Sequence, residues 1–414
     1  MAVIKAFRGL HPKAEFAAEV AAPPYDVLSS DEARALVKKN QNSFLRVNKS
    51  EVDFSAEESQ YTDKVYLKGK ENLQRLINDG LMIRDEKESL YLYRLTMNNK
   101  SQIGLVALTS VDEYNRGLIK KHELTRPEKV DDRADHILTL EAQVGPVFSI
   151  FKQNENLKNL FKKLTSETPS IDFTADDKVR HELWIIDSEE DVASLVNQFG
   201  QLDAIYIADG HHRSEAASEV CRRMKEKNQN HTGNENYNYF LNVIFPDDEM
   251  YIMSYNRTIS DLQNHTMPTI IEKLSDSFDI ETSENPIEPS DKHILGIYHE
   301  KIWYKAVIKD GSFDTEHPVD SIDSAILTKN LLAPLFNIEN LRTDNRIKFV
   351  GGIRGIAELE KLVNSGEQKM AFSLPPVTVN QLLAVADAGE VMPPKSTWFE
   401  PKLRSGMVVS LLED

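Results

Sequence analysis

YIADGHHRSEAA, residues Tyr206 to Ala217, is the stretch on which the reading of this chain turns. Ala204 to Ala208 are apolar or aromatic, as a buried strand requires. Asp209-Gly210 then reads as a turn, and a helix follows at once from His211-His212-Arg213 through SEAASEVCRRMKEK. A helix N-terminus carries unpaired N–H groups and roughly half a positive charge, which suits it to anions. Gly210 lets the backbone turn sharply and approach a ligand closely. Arg213 adds a planar fork that matches phosphate oxygens. His211 and His212 oppose the helix dipole when protonated, so their pKa values are expected to fall without an anion and to rise beside a phosphate. A plainer reading makes Asp209 an ordinary helix cap, with both histidines exposed.

Composition limits what surrounds this motif. At 414 residues the chain exceeds one ordinary core, and two or three packed units are expected. An apolar fraction of 40% with 28% charged residues belongs to a globular chain rather than a disordered one. No apolar run reaches the ~18 residues of a membrane span. The opening MAVIKAFRGLHPKAEF lacks the apolar stretch of a secretory signal. Cys221 is the only cysteine, which excludes an intrachain disulfide or a cysteine-based zinc site and suits a reducing, cytoplasmic setting. Acidic residues outnumber basic ones, 66 to 49, for a net charge of −17, so neither nucleic acid nor membrane is an expected partner. The densest basic cluster, Arg222, Arg223, Lys225 and Lys227, reads as the solvated face of the motif helix.

Outward from the motif, strands and helices alternate without a strict βαβ rhythm, and hairpin signals are frequent. The expected fold class is therefore α+β with mixed sheets. SSDEARALVKKN reads as a helix capped by Ser29 or Ser30, and a second helix is expected from Tyr61 to Gly80. Two β-rich runs around NNKS, residues 89–114, predict a hairpin. NYFLNVIF and MYIMSYNRTI, joined by PDDE, predict another. GPVFSIF and HELWIID are further strands. SENPIEPSD, near residues 284–291, reads as a linker. These signals divide the chain into sections 1–114, 115–283 and 284–414.

Ala-Asp-Gly-His-His-Arg leading into a helix resembles the central motif of the ParB/sulfiredoxin-like fold, in which such a turn binds nucleotide phosphates. The paired histidines resemble those of the free-serine kinases of that superfamily. FRGLHPK, AAPPYDVLSSDEA, KKHELT with VDDR, ADGHHRSEAA, SYNRTI and MPPKSTWFEPKLRSG, in this order from residue 7 to residue 406, resemble the domain-of-unknown-function 1015 family, DUF1015. The resemblance implies a ParB/sulfiredoxin-like middle section wrapped by N- and C-terminal sections. It also implies a kinase that phosphorylates free serine or a similar hydroxyl metabolite, with ATP or ADP as donor and Mg²⁺. On this reading Glu123 is the general base, with His122 and Asp209 at the reacting centre. Gly210, His211, His212, Arg213 and Arg133 hold the nucleotide phosphates, and Asp132 and Asp209 hold the metal. The alternative is a nucleotide-binding regulatory protein without turnover. On composition alone, KKHELTRPEKVDDRADH also reads as an exposed charged loop.

Several polar groups elsewhere are candidates for the small-molecule substrate. Arg8, Tyr25 and Asp26 sit in extended, Pro-constrained backbone that forms a binding wall at low entropic cost. Asn256 and Arg257 end a hydrophobic strand, where the arginine reads equally as a grip for a substrate carboxylate or as a surface residue. MPPKSTWFEPKLRSG, with Lys395 as the candidate and Lys402 further on, fits a segment folded back over a site. FVGGIRG lacks the Walker or Rossmann spacing and reads as a tight turn. His122, His136 and Asp132 have no HxxxH or HExxH spacing, so a transition metal is not expected. The expected partners are a metabolite and a nucleotide, and a homo-oligomer is compatible with the chain.

Overall fold

The computed structural model describes residues 2–413, which form two compact units. The first contains the residues up to Met250 together with those from Pro401, and the second runs from Tyr251 to Glu400. Sheets with interspersed helices make the α+β class plain in both, and the sheet of the first unit mixes parallel with antiparallel pairs.

In the first unit nine strands form one sheet. Its order is Ile119–Lys120, Ile205–Asp209, Val147–Phe151, Tyr239–Pro246, Lys100–Ser110, Leu90–Met97, Arg180–Ile186 and Ile171–Thr174, with Ile4–Lys5 also paired to Lys100–Ser110. Pairing is parallel between Ile205–Asp209 and Ile119–Lys120, and between Tyr239–Pro246 and Val147–Phe151; elsewhere it is antiparallel. The hairpin expected over residues 89–114 is present. Asn98 and Asn99 have φ of 50° and 63°, the left-handed pair that a two-residue hairpin loop requires. Ile205 and Ile207 project into the same core as Ala216, Ala217 and Val220 of the motif helix, His211–Lys227. Alanines on that face let the helix lie close on the sheet.

KKHELTRPEKVDDRADH is not the charged loop that its composition suggested. From Pro127 to Leu140 it is a helix, opened by the proline in its first turn, with Asp132, Ala134, His136 and Ile137 buried. It packs along the motif helix, and Arg223 ties the two by bonds of 2.7 Å to both Asp131 and Asp135. Arg222 pairs with Glu219 and Glu226. This part of the basic cluster is thus matched by neighbouring acids. Ser30–Lys39 carries a reciprocal capping box between Ser29 and Glu32, and the second helix runs Asp63–Asn78.

The second unit is built on a six-stranded antiparallel sheet, ordered Phe278–Ser283, Ile302–Ile308, Ile294–His299, Met370–Ser373, Tyr255–Ile259 and Ile347–Gly351. Two expectations change here. The runs flanking PDDE do not pair with each other: Tyr239–Pro246 lies in the first unit, while Tyr251–Met253 pairs with Trp398–Glu400 in the second. Alternation marks a strand without naming its partner, and partners far away in sequence win at both runs. Residues 284–291 connect strands of a single sheet, so the compact units divide at 250 and 400 rather than at 114 and 283.

Two buried histidines make the first unit acid-sensitive. His136 bonds the Val47 carbonyl at 3.2 Å, and His181 lies between the Tyr93 hydroxyl, 2.8 Å from Nδ1, and the Arg404 Nε, 3.4 Å from Nε2. Burial, aided by Arg133 and Arg404 respectively, depresses each imidazole from 6.5 to about 3. Between those values the unfolded chain binds the extra protons. Stability is therefore complete above pH 6.5 and falls as the pH drops toward 3, by about 1.4 kcal/mol per pH unit for each histidine. Thermal unfolding followed by circular dichroism should give a midpoint that declines steadily from pH 6.5 to 4. His181→Gln should be less stable at neutral pH but show a shallower decline; an unaltered slope would contradict this assignment.

Candidate functional site

Sheet topology assembles the site. Because Ile205–Asp209 and Ile119–Lys120 run parallel, both strands deliver their C-terminal ends to one edge of the sheet. Val147–Phe151 runs antiparallel to Ile205–Asp209, so its preceding residues, Gly145 and Pro146, reach the same edge. The loop of residues 121–126, the Gly210 turn and the Gly145-Pro146 corner are consequently neighbours. The carboxyl ends of sheet strands are a recurrent place for ligands.

The strand ends irregularly. Its register with Val147–Phe151 shifts between Ile207 and Asp209, a bulge that re-aims the residues after it. Gly210 follows at φ +94°, and a Cβ there would lie 3.3 Å from both Cζ and Nε of Arg213. The positive φ favours glycine, and a Cβ would also crowd the Arg213 guanidinium. The N-cap residue is Gly210, which has no side chain with which to cap, and no acid lies in the first turn of the helix. Asp209 accepts from Gly210 N at 2.9 Å, and His211 is buried, so the plain reading with both histidines exposed does not hold. The helix start keeps its partial positive charge facing the edge of the sheet.

The histidine pair does something the sequence did not suggest. Nε2 of His211 accepts from the backbone N–H of His122 at 3.4 Å, and Nε2 of His212 accepts from that of Arg126 at 3.1 Å. An accepting Nε2 on a neutral ring puts the proton on Nδ1. In His211 that atom lies 3.7 Å from Glu123 Oε2. The two rings thus clasp the loop that carries Glu123 and point one of its members at the carboxylate. His211 is 3% exposed, and its ring meets that of His122 edge-on at 4.5 Å. Burial is the first cause that holds its pKa well below 6.5, with His122 adding to it; the helix dipole was the expected cause. His122 is likewise depressed by burial, to about 4.

Arg213 turns back toward the sheet edge. It donates to the Pro146 carbonyl and pairs with Asp26 at 3.2 Å, and the nearby acids raise its pKa against the effect of burial. Tyr25, adjacent to Asp26, is stacked under the Arg133 guanidinium at 4.7 Å. Tyr25, Pro146, Asp209 and Arg213 line one narrow cleft, and Tyr25, Arg133, Gly145 and Arg213 line a second beside it. Asp132 is spent inside the protein: its two oxygens accept from the Tyr66 hydroxyl and from Arg133, each at 2.7 Å. Asp209 is the carboxylate that lines the cleft, with its side chain 33% exposed. Among the described residues, no three or more His, Cys, Asp or Glu side chains gather as a ready-made metal site.

The other expected residues are divided between the two units. Arg8 is exposed and holds the Asp85 carbonyl at 3.0 Å. His136 is the structural residue described above. Asn256, Arg257 and Lys395 belong to the second unit. There Asn256 accepts from Leu374 N at 3.0 Å, and Arg257, 1% exposed, donates to the carbonyls of Tyr255 and Lys395. Burial lowers the Arg257 pKa to about 10. Within MPPKSTWFEPKLRSG the lysine that meets the cluster is Lys402, whose Nζ is 3.0 Å from Asp209 Oδ2. The sequence identified the segment and selected the earlier lysine; nothing local distinguishes the two. A wider groove, about 590 Å³, runs along the outer side of the motif helix past Thr125, Glu215, Ser218 and Arg222.

Comparison with known proteins places the chain among relatives. No curated protein matches it in sequence. Its fold is distantly similar to solved structures of a free serine kinase in complex with AMP, at 12% identity, covering 71% of this chain and 86% of that one with a TM-score of 0.36. A conserved hypothetical protein from Pyrococcus furiosus is similar at 14% identity, over 72% of this chain and 91% of that one, TM-score 0.35. SbnI from Staphylococcus aureus, with a C-terminal truncation, is similar at 11% identity, over 72% and 85%, TM-score 0.37. Likenesses this distant transfer neither a residue nor a reaction. The family model described as "Protein of unknown function (DUF1015)" matches residues 4–325, a span holding both the Glu123 loop and the Gly210 turn. The chain belongs to the DUF1015 family.

Proposed function

We propose that the first unit is a nucleotide-dependent small-molecule kinase, which binds nucleotide phosphates at the Gly210 turn and passes a phosphoryl group to a metabolite hydroxyl. One observation carries this reading. The start of the motif helix, with Arg213 in its first turn, and the loop carrying Glu123, one-third exposed, follow strands that end on the same side of the sheet, and the His211 ring lies 3.7 Å from the Glu123 carboxylate. Phosphoryl transfer demands positioning and charge stabilisation above all, and needs little covalent chemistry from the protein.

The backbone amides of the first helical turn and Arg213 hold and orient the phosphates; Arg133, stacked on Tyr25, adds positive charge to the adjoining cleft. Glu123 accepts the proton of the acceptor hydroxyl as its oxygen attacks the terminal phosphorus. The bond from that phosphorus to the bridging oxygen breaks, and the nucleotide leaves one phosphate shorter. His211 is a positioning residue, since its Nδ1–H faces Glu123 and not the substrate. Magnesium, when bound, would neutralise charge on the phosphates. Asp209 fits that role better than Asp132, because Asp132 is enclosed between Tyr66 and Arg133 with its side chain 7% exposed, while Asp209 lines the cleft with its side chain 33% exposed; Mg²⁺ in such sites typically relies on one or two carboxylates plus phosphate oxygens and water. Free serine is the first acceptor to test, on the resemblance of the paired-histidine motif to free-serine kinases, with ATP and ADP both tested as donors.

Loss of Arg213 removes a charge-assisted contact of ~1.5–3 kcal/mol, which corresponds to a ~10- to 150-fold loss of nucleotide affinity. Calorimetric titration of Arg213→Ala, with its unfolding midpoint checked, measures this; undiminished affinity in a folded variant would remove Arg213 from the site.

Glu123→Gln should bind nucleotide as the natural chain does but slow phosphoryl transfer by about 10²- to 10⁴-fold, the usual cost of losing a general base. Single-turnover assays with radiolabelled donor test this, and near-normal transfer would give the role to another group. A chain that binds nucleotide tightly yet transfers nothing to any hydroxyl metabolite would favour the regulatory alternative.

A further inference from the structure

Lys402 reaches the Gly210 turn from 193 residues away in sequence, and it lies beyond the residues that the family model matches. The segment bearing it is pinned on both sides within the first unit. The Pro401 carbonyl accepts from Gln102 Nε2 at 3.2 Å. Arg404 pairs with Asp177 and donates to His181, and Ser405 exchanges two backbone hydrogen bonds with Ala22, at 2.9 and 3.1 Å. Between those anchors the Lys402 side chain, 17% exposed, enters the cleft lined by Tyr25, Asp209 and Arg213.

We propose that Lys402 is a second cationic phosphate contact, which makes this site select ligands with two or more linked phosphates over a monophosphate. The inference rests on the phosphate reading of the Gly210 turn. Two cations flank that turn, and each faces a carboxylate: Arg213 faces Asp26 at 3.2 Å and Lys402 faces Asp209 at 3.0 Å. An entering polyphosphate supplies the negative charge that those carboxylates now provide. The helix start and Arg213 suffice for one phosphate. A second phosphate, a few ångströms along, needs another cation, and Lys402 is the one that lines the same cleft. Its ammonium is a compact charge on a flexible stem, so side-chain rotation alone swings it from Asp209 to a phosphate oxygen. That exchange also releases Asp209 toward a cation carried by the phosphates. A purely structural role, fastening the C-terminal segment, is already filled by Arg404, Ser405 and the Pro401 carbonyl.

Calorimetric titrations of the natural chain, Lys402→Met and Lys402→Arg with ADP and with AMP separate these roles, with unfolding midpoints recorded for each. The natural chain should bind ADP more tightly than AMP. Lys402→Met should weaken ADP binding by ~10- to 150-fold while leaving AMP binding unchanged. Lys402→Arg should restore most of the ADP affinity, since it keeps the charge. Unchanged ADP binding by Lys402→Met, an equal loss for both nucleotides, or a natural chain without preference for ADP would overturn the assignment while leaving the phosphate site standing. A natural chain that binds neither nucleotide would overturn both.

Discussion

The rings of His211 and His212 each accept a backbone N–H from the loop of residues 121–126, and the rest of the site depends on that pair of bonds. The loop alone carries Glu123, the carboxylate suited to take a proton. The helix alone offers an anion site. Neutral imidazoles join them, because a protonated ring has no lone pair with which to accept. In His211 burial favours the neutral form, and the helix N-terminus disfavours the charged one further. The two histidines expected to meet phosphate also fasten the loop, and on the proposed reading the phosphate meets the backbone amides and Arg213.

Charge around this fastening is arranged in opposed pairs. Arg213 faces Asp26, Lys402 faces Asp209, and Arg133 faces Asp132 with Tyr25 beneath it. Partly buried ions are costly unless paired, and in a chain with 17 more acids than bases the cations around the proposed anion site are held by neighbouring carboxylates. The pairs differ in one respect that governs their use. Asp132 is also bonded by the Tyr66 hydroxyl and is enclosed, while Asp26 and Asp209 remain accessible and can yield to a ligand. On the proposed reading, the enclosed pair builds the frame and the accessible pairs form the site.

What the sequence made legible was local. The Gly210 turn, the Ser29–Glu32 capping box and the Asn98-Asn99 loop are each specified by a few adjacent residues whose backbone preferences leave little choice. What it concealed was long-range. PDDE joins two runs that both prefer distant strands. A charged segment became a helix because Ala134, Ile137 and Leu140 bury one face of it while Asp131 and Asp135 meet Arg223 on another. Asp132 was read as a metal ligand because Tyr66, 66 residues earlier, gives no sign of being its partner. Arg257 and Lys395 were chosen for their charge, and the structure gives both to the second unit, where Arg257 serves backbone carbonyls.

The central claim is that the start of the motif helix binds phosphate through its backbone. Amide chemical shifts report it directly. In a deuterated, ¹⁵N-labelled sample titrated with ADP and Mg²⁺, the largest shifts should fall on Gly210, His211, His212 and Arg213, with smaller ones along residues 122–126. Shifts confined to the second unit, or a titration that leaves the Gly210–Arg213 amides unmoved, would contradict the account.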